Sequence, residues 1–310
     1  MPETPSRRFP AVSKRIRRWL LLIVLVCVGV PYGCSRLAYE ERELLFNIEP
    51  GTASWFSGIP EGMTSLDIPV TSAVGINEHL HAWWWPASNK NAPTLLYLHG
   101  TRWNLTAQLR RISLLRGMGF SVLAIDYRGF GESPGELPSE RSVYEDAQIA
   151  WRRVVQLQPD ARKRYIYGHS LGGAVAVDLA WRIAREHDSK GDPAPAAGLI
   201  IESTFTDLAD AAAAIANTSL PVRWIMSEKF DSIDKIGHIN MPVLIVHGEA
   251  DRYVPPRFSQ ALYDAAAQPK QLLLIPGAGH IDSMTLGTKE YSKAIHQTFA
   301  TQVPPSSRRG

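Results

Sequence analysis

Six short apolar runs, separated by stretches with helical spacing, leave this chain few architectures to choose from. They are Thr94–Leu98, Ser121–Ile125, Tyr165–Tyr167, Gly198–Ile201, Pro242–Val246 and Gln271–Ile275. Each is almost continuously Leu, Ile, Val, Ala or Tyr, which suits a strand buried on both faces. Between or after them, Leu105–Arg116, Glu140–Leu157, Ala174–Trp181 and Lys289–Thr301 read as helices. Gly117 and Gly119 stop the first, and Pro159 lies beyond the second. Strands alternating with helices imply a parallel, doubly wound α/β sheet with right-handed crossovers. Two runs of period two, Leu66–Val70 and His79–Trp85, read as a pair joined near Gly75-Ile76-Asn77, making eight strands in all. Trp83, Trp84 and Trp85 cannot form one ring surface there, because neighbours on a strand face opposite sides; core packing is the reading.

One junction is more specific. Tyr165-Ile166-Tyr167 runs into Gly168-His169-Ser170-Leu171-Gly172-Gly173 and then into a helix. Strand, sharp turn and helix around a G-x-S-x-G pentad hold one serine hydroxyl proud of the sheet edge on a strained backbone. Small residues suit positions 168 and 172, where strand and helix backbones pass close together. The helix N-terminus behind Ser170 offers unpaired N–H groups and a favourable dipole for negative charge. Such a serine is a nucleophile if a base lies nearby.

In a doubly wound sheet, functional groups gather beyond the carboxyl ends of the strands. Those ends carry His99-Gly100-Thr101, Asp126, Ser170, Glu202, Asp251 and His280. Serine, acid and histidine thus follow separate strands in chain order. An imidazole can take the serine proton during attack and pass it to the leaving group, while a carboxylate behind it fixes the tautomer. His280, in the loop Gly277-Ala278-Gly279-His280 after the last strand, is the candidate base, and Asp251 the candidate acid, with Glu202 as the alternative. Asp126 reads as an anchor for the loop Tyr127–Ser133; His99, His169 and His247 read as packing or hydrogen-bonding groups. A tetrahedral intermediate needs two preorganised N–H donors. The backbone N–H groups of Leu171 and Thr101 are the candidates, with Gly100 allowing close approach and Asn104 bracing the loop.

Charge and cysteine content narrow the classes further. The net charge of +3 conceals +5 in residues 1–18, leaving −2 for the rest. A nearly neutral body does not fit nucleic-acid binding. Both cysteines, Cys27 and Cys34, lie in or beside the N-terminal apolar stretch, so the body has no thiolate site or disulfide. No feature calls for a metal or cofactor, and none points to an obligate protein partner. Residues 19–35 carry no charge, are preceded by six cations, and would span about 25 Å as a helix. A membrane anchor is the favoured reading, with a lipoprotein signal ending at Cys34 as the alternative. The positive-inside rule then places residues 1–18 in the cytoplasm and the body outside, on the periplasmic side. Residues 36–64 read as a linker and docking segment, residues 65–302 as the main domain, and residues 303–310 as a tail.

Five stretches in order carry a family resemblance: His99-Gly100 with Asn104; Asp126-Tyr127-Arg128-Gly129-Phe130-Gly131-Glu132-Ser133; Gly168–Gly173; His247-Gly248-Glu249-Ala250-Asp251 with Val254-Pro255; and Gly279-His280-Ile281-Asp282. From about Ser65 to Ala300 the chain resembles the serine α/β-hydrolases, and within them a membrane-anchored group of lipase-like, palmitoyl-protein and lysophospholipid hydrolases. The resemblance implies an eight-stranded, mostly parallel hydrolase sheet with a small helical cap near 203–241. It also implies Ser170, Asp251 and His280 as nucleophile, acid and base, and an ester or thioester, acyl or lipid-like, as substrate. Where relatives often have small or amide residues, this chain has Thr101, Arg102 and Trp103, expected to line the mouth of the site with His169. Trp224, Met226 and Phe230 of the cap are candidates for an acyl channel, with ordinary cap packing as the alternative.

Overall fold

Each of the six apolar runs is a strand, and so are the two runs of period two. A computed structural model of the chain describes residues 30–71, 77–188, 196–218 and 222–299. Its strands are β1 (Thr64–Thr71), β2 (Asn77–Trp85), β3 (Thr94–Leu98), β4 (Ser121–Ile125), β5 (Arg164–His169), β6 (Gly198–Glu202), β7 (Val243–Gly248) and β8 (Lys270–Ile275). They form one sheet in the order β1-β2-β4-β3-β5-β6-β7-β8. β2 pairs antiparallel with both β1 and β4, and every other pairing is parallel. The turn read near Gly75-Ile76-Asn77 lies outside the described residues.

The continuous apolar runs have the cause inferred for them. Every residue of β3, β4, β5, β6 and β7 is buried, whereas the edge strand β8 is buried fully only at Ile275. Alternate residues feed two separate cores. Leu96, Leu98, Leu123, Ile125 and Ile166 face the layer containing the Glu140–Leu157 and Leu171–Asp188 helices. Leu95, Tyr97, Val122, Ala124 and Tyr165 face the Leu109–Gly117 and Thr288–Thr298 helices. The three tryptophans of β2 divide the same way: Trp83 and Trp85 enter the second core, and Trp84 packs against the first. Ser139 caps the Glu140–Leu157 helix in a reciprocal box with Ser142, two bonds of 3.1 and 2.8 Å that satisfy otherwise orphaned N–H groups.

Between β6 and β7 the cap is slight: a helix Leu208–Ile215, one turn at Val222–Trp224 and a four-residue helix Ile233–Ile236. At the other end, the basic segment 1–18, the tail 303–310 and most of the anchor expected at 19–35 lie outside the described residues. Among the described residues no helix is long and apolar enough to cross a membrane. Residues 36–46, expected within a linker, are helical, continuing a helix that begins at Val30 and includes Arg36, Glu40, Glu41, Arg42 and Glu43. Phe46, the last residue of that helix, is wholly buried with its ring 6.2 Å from Phe130 and 6.3 Å from Phe230.

Candidate active site

The turn after β5 is as tight as the pentad implies. Ser170 has φ of +56°, a left-handed conformation that costs a non-glycine residue on the order of 1–3 kcal/mol. Its N–H donates to the Glu202 carbonyl at 2.9 Å, tying the turn to the neighbouring strand. Side chains cannot be added around it. A Cβ on Gly168 would lie 2.0 Å from the Gly172 carbonyl oxygen, and one on Gly172 would lie 2.2 Å from that of Leu98.

Asp251 and His280 arrive from the ends of β7 and β8, and backbone bonds lock their two loops together. Ala250 N–H donates to Ala278 O at 2.8 Å, and Glu249 N–H to Ile275 O at 3.0 Å. The structure thereby brings the three sequence candidates together. His280 Nε2 lies 3.0 Å from Ser170 Oγ, and His280 Nδ1 lies 2.8 Å from Asp251 Oδ2. With the Nδ1 proton given to the carboxylate, Nε2 is left to accept from the hydroxyl.

The Asp251 carboxylate is heavily solvated by protein. Tyr253 and Val254 N–H groups each donate to Oδ1 at 2.9 Å, and His247 Nε2–H donates to Oδ2 at 3.1 Å. Nε2 of His247 must carry the proton, because it also meets the Val254 carbonyl at 2.7 Å; its Nδ1 is then free to accept from Ser259 Oγ at 2.6 Å. Burial works to raise the Asp251 pKa, but the bonds from His247 and His280 outweigh it and hold the carboxyl well below the usual range. His247, read from sequence as a packing or hydrogen-bonding group, is a direct partner of Asp251. Its spacing four residues before Asp251, at a strand end, was the available signal.

The alternative acid, Glu202, has other partners. It is fully buried, accepting from Tyr167 Oη at 2.7 Å, Tyr291 Oη at 3.1 Å and Arg111 Nη2 at 3.3 Å. Asp126 anchors its loop as expected: it accepts the Leu105 N–H at 2.9 Å, and its carbonyl accepts Ser133 Oγ–H at 2.8 Å. Asn104 braces the loop after β3 by donating to the Glu49 and Gly51 carbonyls at 2.9 and 2.7 Å.

Leu171 is the first residue of its helix, so its N–H has no partner within the helix. The Gly100 backbone presses on the serine: a Cβ there would lie 3.0 Å from Ser170 Cβ. Ser170 and His280 open into a cavity of about 540 Å³ whose lining includes Thr101, Arg102, Trp103 and His169. His169 Nε2–H donates to the His280 carbonyl at 2.8 Å. Burial, then the charge of Arg111 and of His280, holds His169 well below an ordinary histidine, so it is neutral.

The cap candidates are a correction. None of Trp224, Met226 and Phe230 lines this cavity. Trp224 is 88% exposed, and Phe230 is fully buried against Phe46 and Tyr144. Met226 packs against the first core. Ile215 is the cap's contribution instead, facing Leu114, Ile281 and Met284 among the other lining residues. Sequence reasoning missed these, and also Tyr253, Arg110 and Arg111, because apolar or basic residues on two separate elements give no sign that they share a wall.

Comparison with known proteins bears on the family and the fold. The model of the serine aminopeptidase S33 family matches residues 89–235 and 230–281. An uncharacterized protein of Mycobacterium tuberculosis is 33% identical over 284 residues, covering 91% of this chain and 93% of its own. The lysophosphatidylserine lipase ABHD12 of Danio rerio is 34% identical over 204 residues, covering 61% of this chain and 51% of its own length. The Pyrococcus furiosus esterase Pf2001 shares the fold with a TM-score of 0.62 at 18% identity, over 83% of this chain and 98% of that one. On fold and family match together, the chain is a hydrolase of the serine α/β-hydrolase superfamily, in the serine aminopeptidase S33 family.

Proposed function

We propose that this hydrolase cleaves carboxylic ester or thioester bonds of acyl, lipid-like substrates through a covalent acyl-enzyme. The observation carrying the proposal is the unbroken line from Asp251 Oδ2 to His280 to Ser170 Oγ, with links of 2.8 and 3.0 Å, opening on the cavity. Ser170 Oγ attacks the carbonyl as His280 Nε2 takes its proton. Asp251 holds the imidazole and stabilises its cationic form. The N–H groups of Leu171 and Thr101 receive the oxyanion. His280 then protonates the departing alcohol or thiol, and water, deprotonated by the same imidazole, releases the acid. The apolar wall of Leu114, Ile215, Ile281 and Met284 supports an acyl chain as the group held.

The family's description favours a second reading, an aminopeptidase. A panel of 4-nitrophenyl esters of two to twelve carbons, acyl-thioesters and aminoacyl-4-nitroanilides separates the two. Esters or thioesters are expected to be turned over most efficiently; an anilide preference would replace the ester reading with the peptidase one.

We also propose that residues 19–35 tether the chain to a membrane with the catalytic domain on the extracytoplasmic side. Support comes from the uncharged run and the six cations before it. Release of the intact protein by alkaline carbonate would contradict the tether, and a diacylglycerol-modified Cys34 in the intact mass would replace it with lipidation.

A further inference from the structure

The cavity's lining has an unbalanced charge. Arg102, Arg110 and Arg111 all face it, and among the described residues no aspartate or glutamate does. Arg111 is neutralised from behind by Glu202 at 3.3 Å. Arg102 and Arg110 have no carboxylate partner among the described residues. Arg110 Nε donates only to Thr285 Oγ1, at 3.2 Å. Arg102 stacks over Tyr253 at 5.4 Å, and that ring stands 5.9 Å from the His280 ring, so one tyrosine neighbours both the guanidinium and the imidazole.

Local stability does not explain these cations. Arg110 and Arg111 occupy the first turn of the Leu109–Gly117 helix, which has no acidic residue there. Arg111 is also nine-tenths buried while its Nε has no hydrogen-bond partner, an unusual state for a buried donor. Two guanidinium groups without a carboxylate partner thus stand in the lining of one cavity. Leu114, one turn beyond Arg110, begins the apolar wall beside it.

Building on the reading of Ser170 as nucleophile, we infer that this wall is an anion subsite, and that the preferred substrates are acyl esters carrying a phosphate or carboxylate near the scissile bond. Guanidinium groups bind both anions through paired N–H donors. The same wall offers nothing to a protonated amino terminus, which would need a carboxylate.

Two matched pairs test this with the full chain. One pair is 1-acylglycerol and 1-acylglycerol-3-phosphate of equal acyl length, placing the charge on the alcohol. The other is 4-nitrophenyl hexanoate and mono-4-nitrophenyl adipate, placing it on the acyl group. At least one pair should show kcat/KM about tenfold or more higher for the anion, an advantage that shrinks at high salt; the responding pair says which side of the ester the arginines hold. Substituting Arg102→Gln with Arg110→Gln should cut that anion-to-neutral ratio about tenfold, mainly through KM, and Arg110→Glu should invert it. Both residues are exposed, so the fold is expected to survive, as circular dichroism would check. Equal use of anion and neutral ester in both pairs, or a ratio unmoved by the double substitution, overturns the subsite and leaves the ester hydrolase standing. No turnover of any of the four esters by folded protein overturns the ester-hydrolase reading, and the subsite with it.

Discussion

Asp126, beyond β4, and Asp251, beyond β7, are each buried between two histidines, and each arrangement reaches a serine. Asp126 meets His81 Nδ1 at 3.1 Å and His99 Nε2 at 3.6 Å, and His81 Nε2 lies 2.9 Å from Ser65 Oγ. Asp251 meets His280 at 2.8 Å and His247 at 3.1 Å, and His280 reaches Ser170 at 3.0 Å. Interatomic distances alone scarcely separate the two. Their surroundings do. Ser65 lies within the outermost strand, β1, whereas Ser170 sits on a left-handed residue at a helix N-terminus. His81 Nε2 also faces Glu132 at 3.1 Å. Burial works to lower the His81 pKa, but Asp126, helped by Glu132 and Asp67, raises it above an ordinary histidine. A ring held toward its charged form donates to Ser65 rather than taking its proton. Ser170 lines the large cavity, and Ser65 does not. A serine, histidine and aspartate in line therefore define a site only together with the backbone that aims the serine and the space in front of it.

The largest expected effect breaks the symmetry outright. Ser170→Ala should lower ester kcat by roughly 10³-fold or more, while Ser65→Ala changes it less than about twofold; steady-state kinetics on both variants decides. Next come the two aspartates. Asp251→Asn should lower kcat by about 10²–10⁴-fold through the wrong histidine tautomer. Asp126→Asn should instead lose about 1–3 kcal/mol of stability, read by chemical denaturation, with a far smaller change in kcat. Smallest is a pair of pH effects of opposite sign. His81 binds its proton more tightly when folded, so its contribution is present at acid pH and lost as pH rises through its folded value. His169 binds its proton more weakly when folded, so stability is lost as pH falls below about 6.5. Between pH 5 and 8, the stability of the unsubstituted protein relative to His81→Gln should fall, and relative to His169→Gln should rise. Each change should be on the order of 1 kcal/mol.

The same contrast shows what the sequence reveals. Strands buried on both faces announce themselves as unbroken apolar runs, so β3 to β7 and the groups just past them were legible. Ser170, Asp251 and His280 were legible as candidates because each lies within five residues of the end of an apolar run. Asp126 was placed as a loop anchor, but its histidine and serine partners were not, since His81 and Ser65 lie on strands whose register only the fold sets. The channel residues expected in the cap failed for a different reason. Phe230 and Trp224 are similar residues in one short segment, yet Phe230 fills a core made by Phe46 and Tyr144, far away in sequence, and Trp224 faces solvent. Hydrophobicity reports that a side chain wants cover, not whether core, cavity or partner supplies it. The arginine wall was partly visible: Arg102 was expected at the mouth, whereas Arg110 and Arg111 join it only because the fold brings their helix to the same cavity as Ser170.

Reaction with a fluorophosphonate, followed by peptide mapping of the adduct, tests the central claim most directly. A single adduct on the peptide containing Ser170, absent from the Ser170→Ala variant, is the predicted result. An adduct on Ser65, or undiminished labelling of Ser170→Ala, would contradict it.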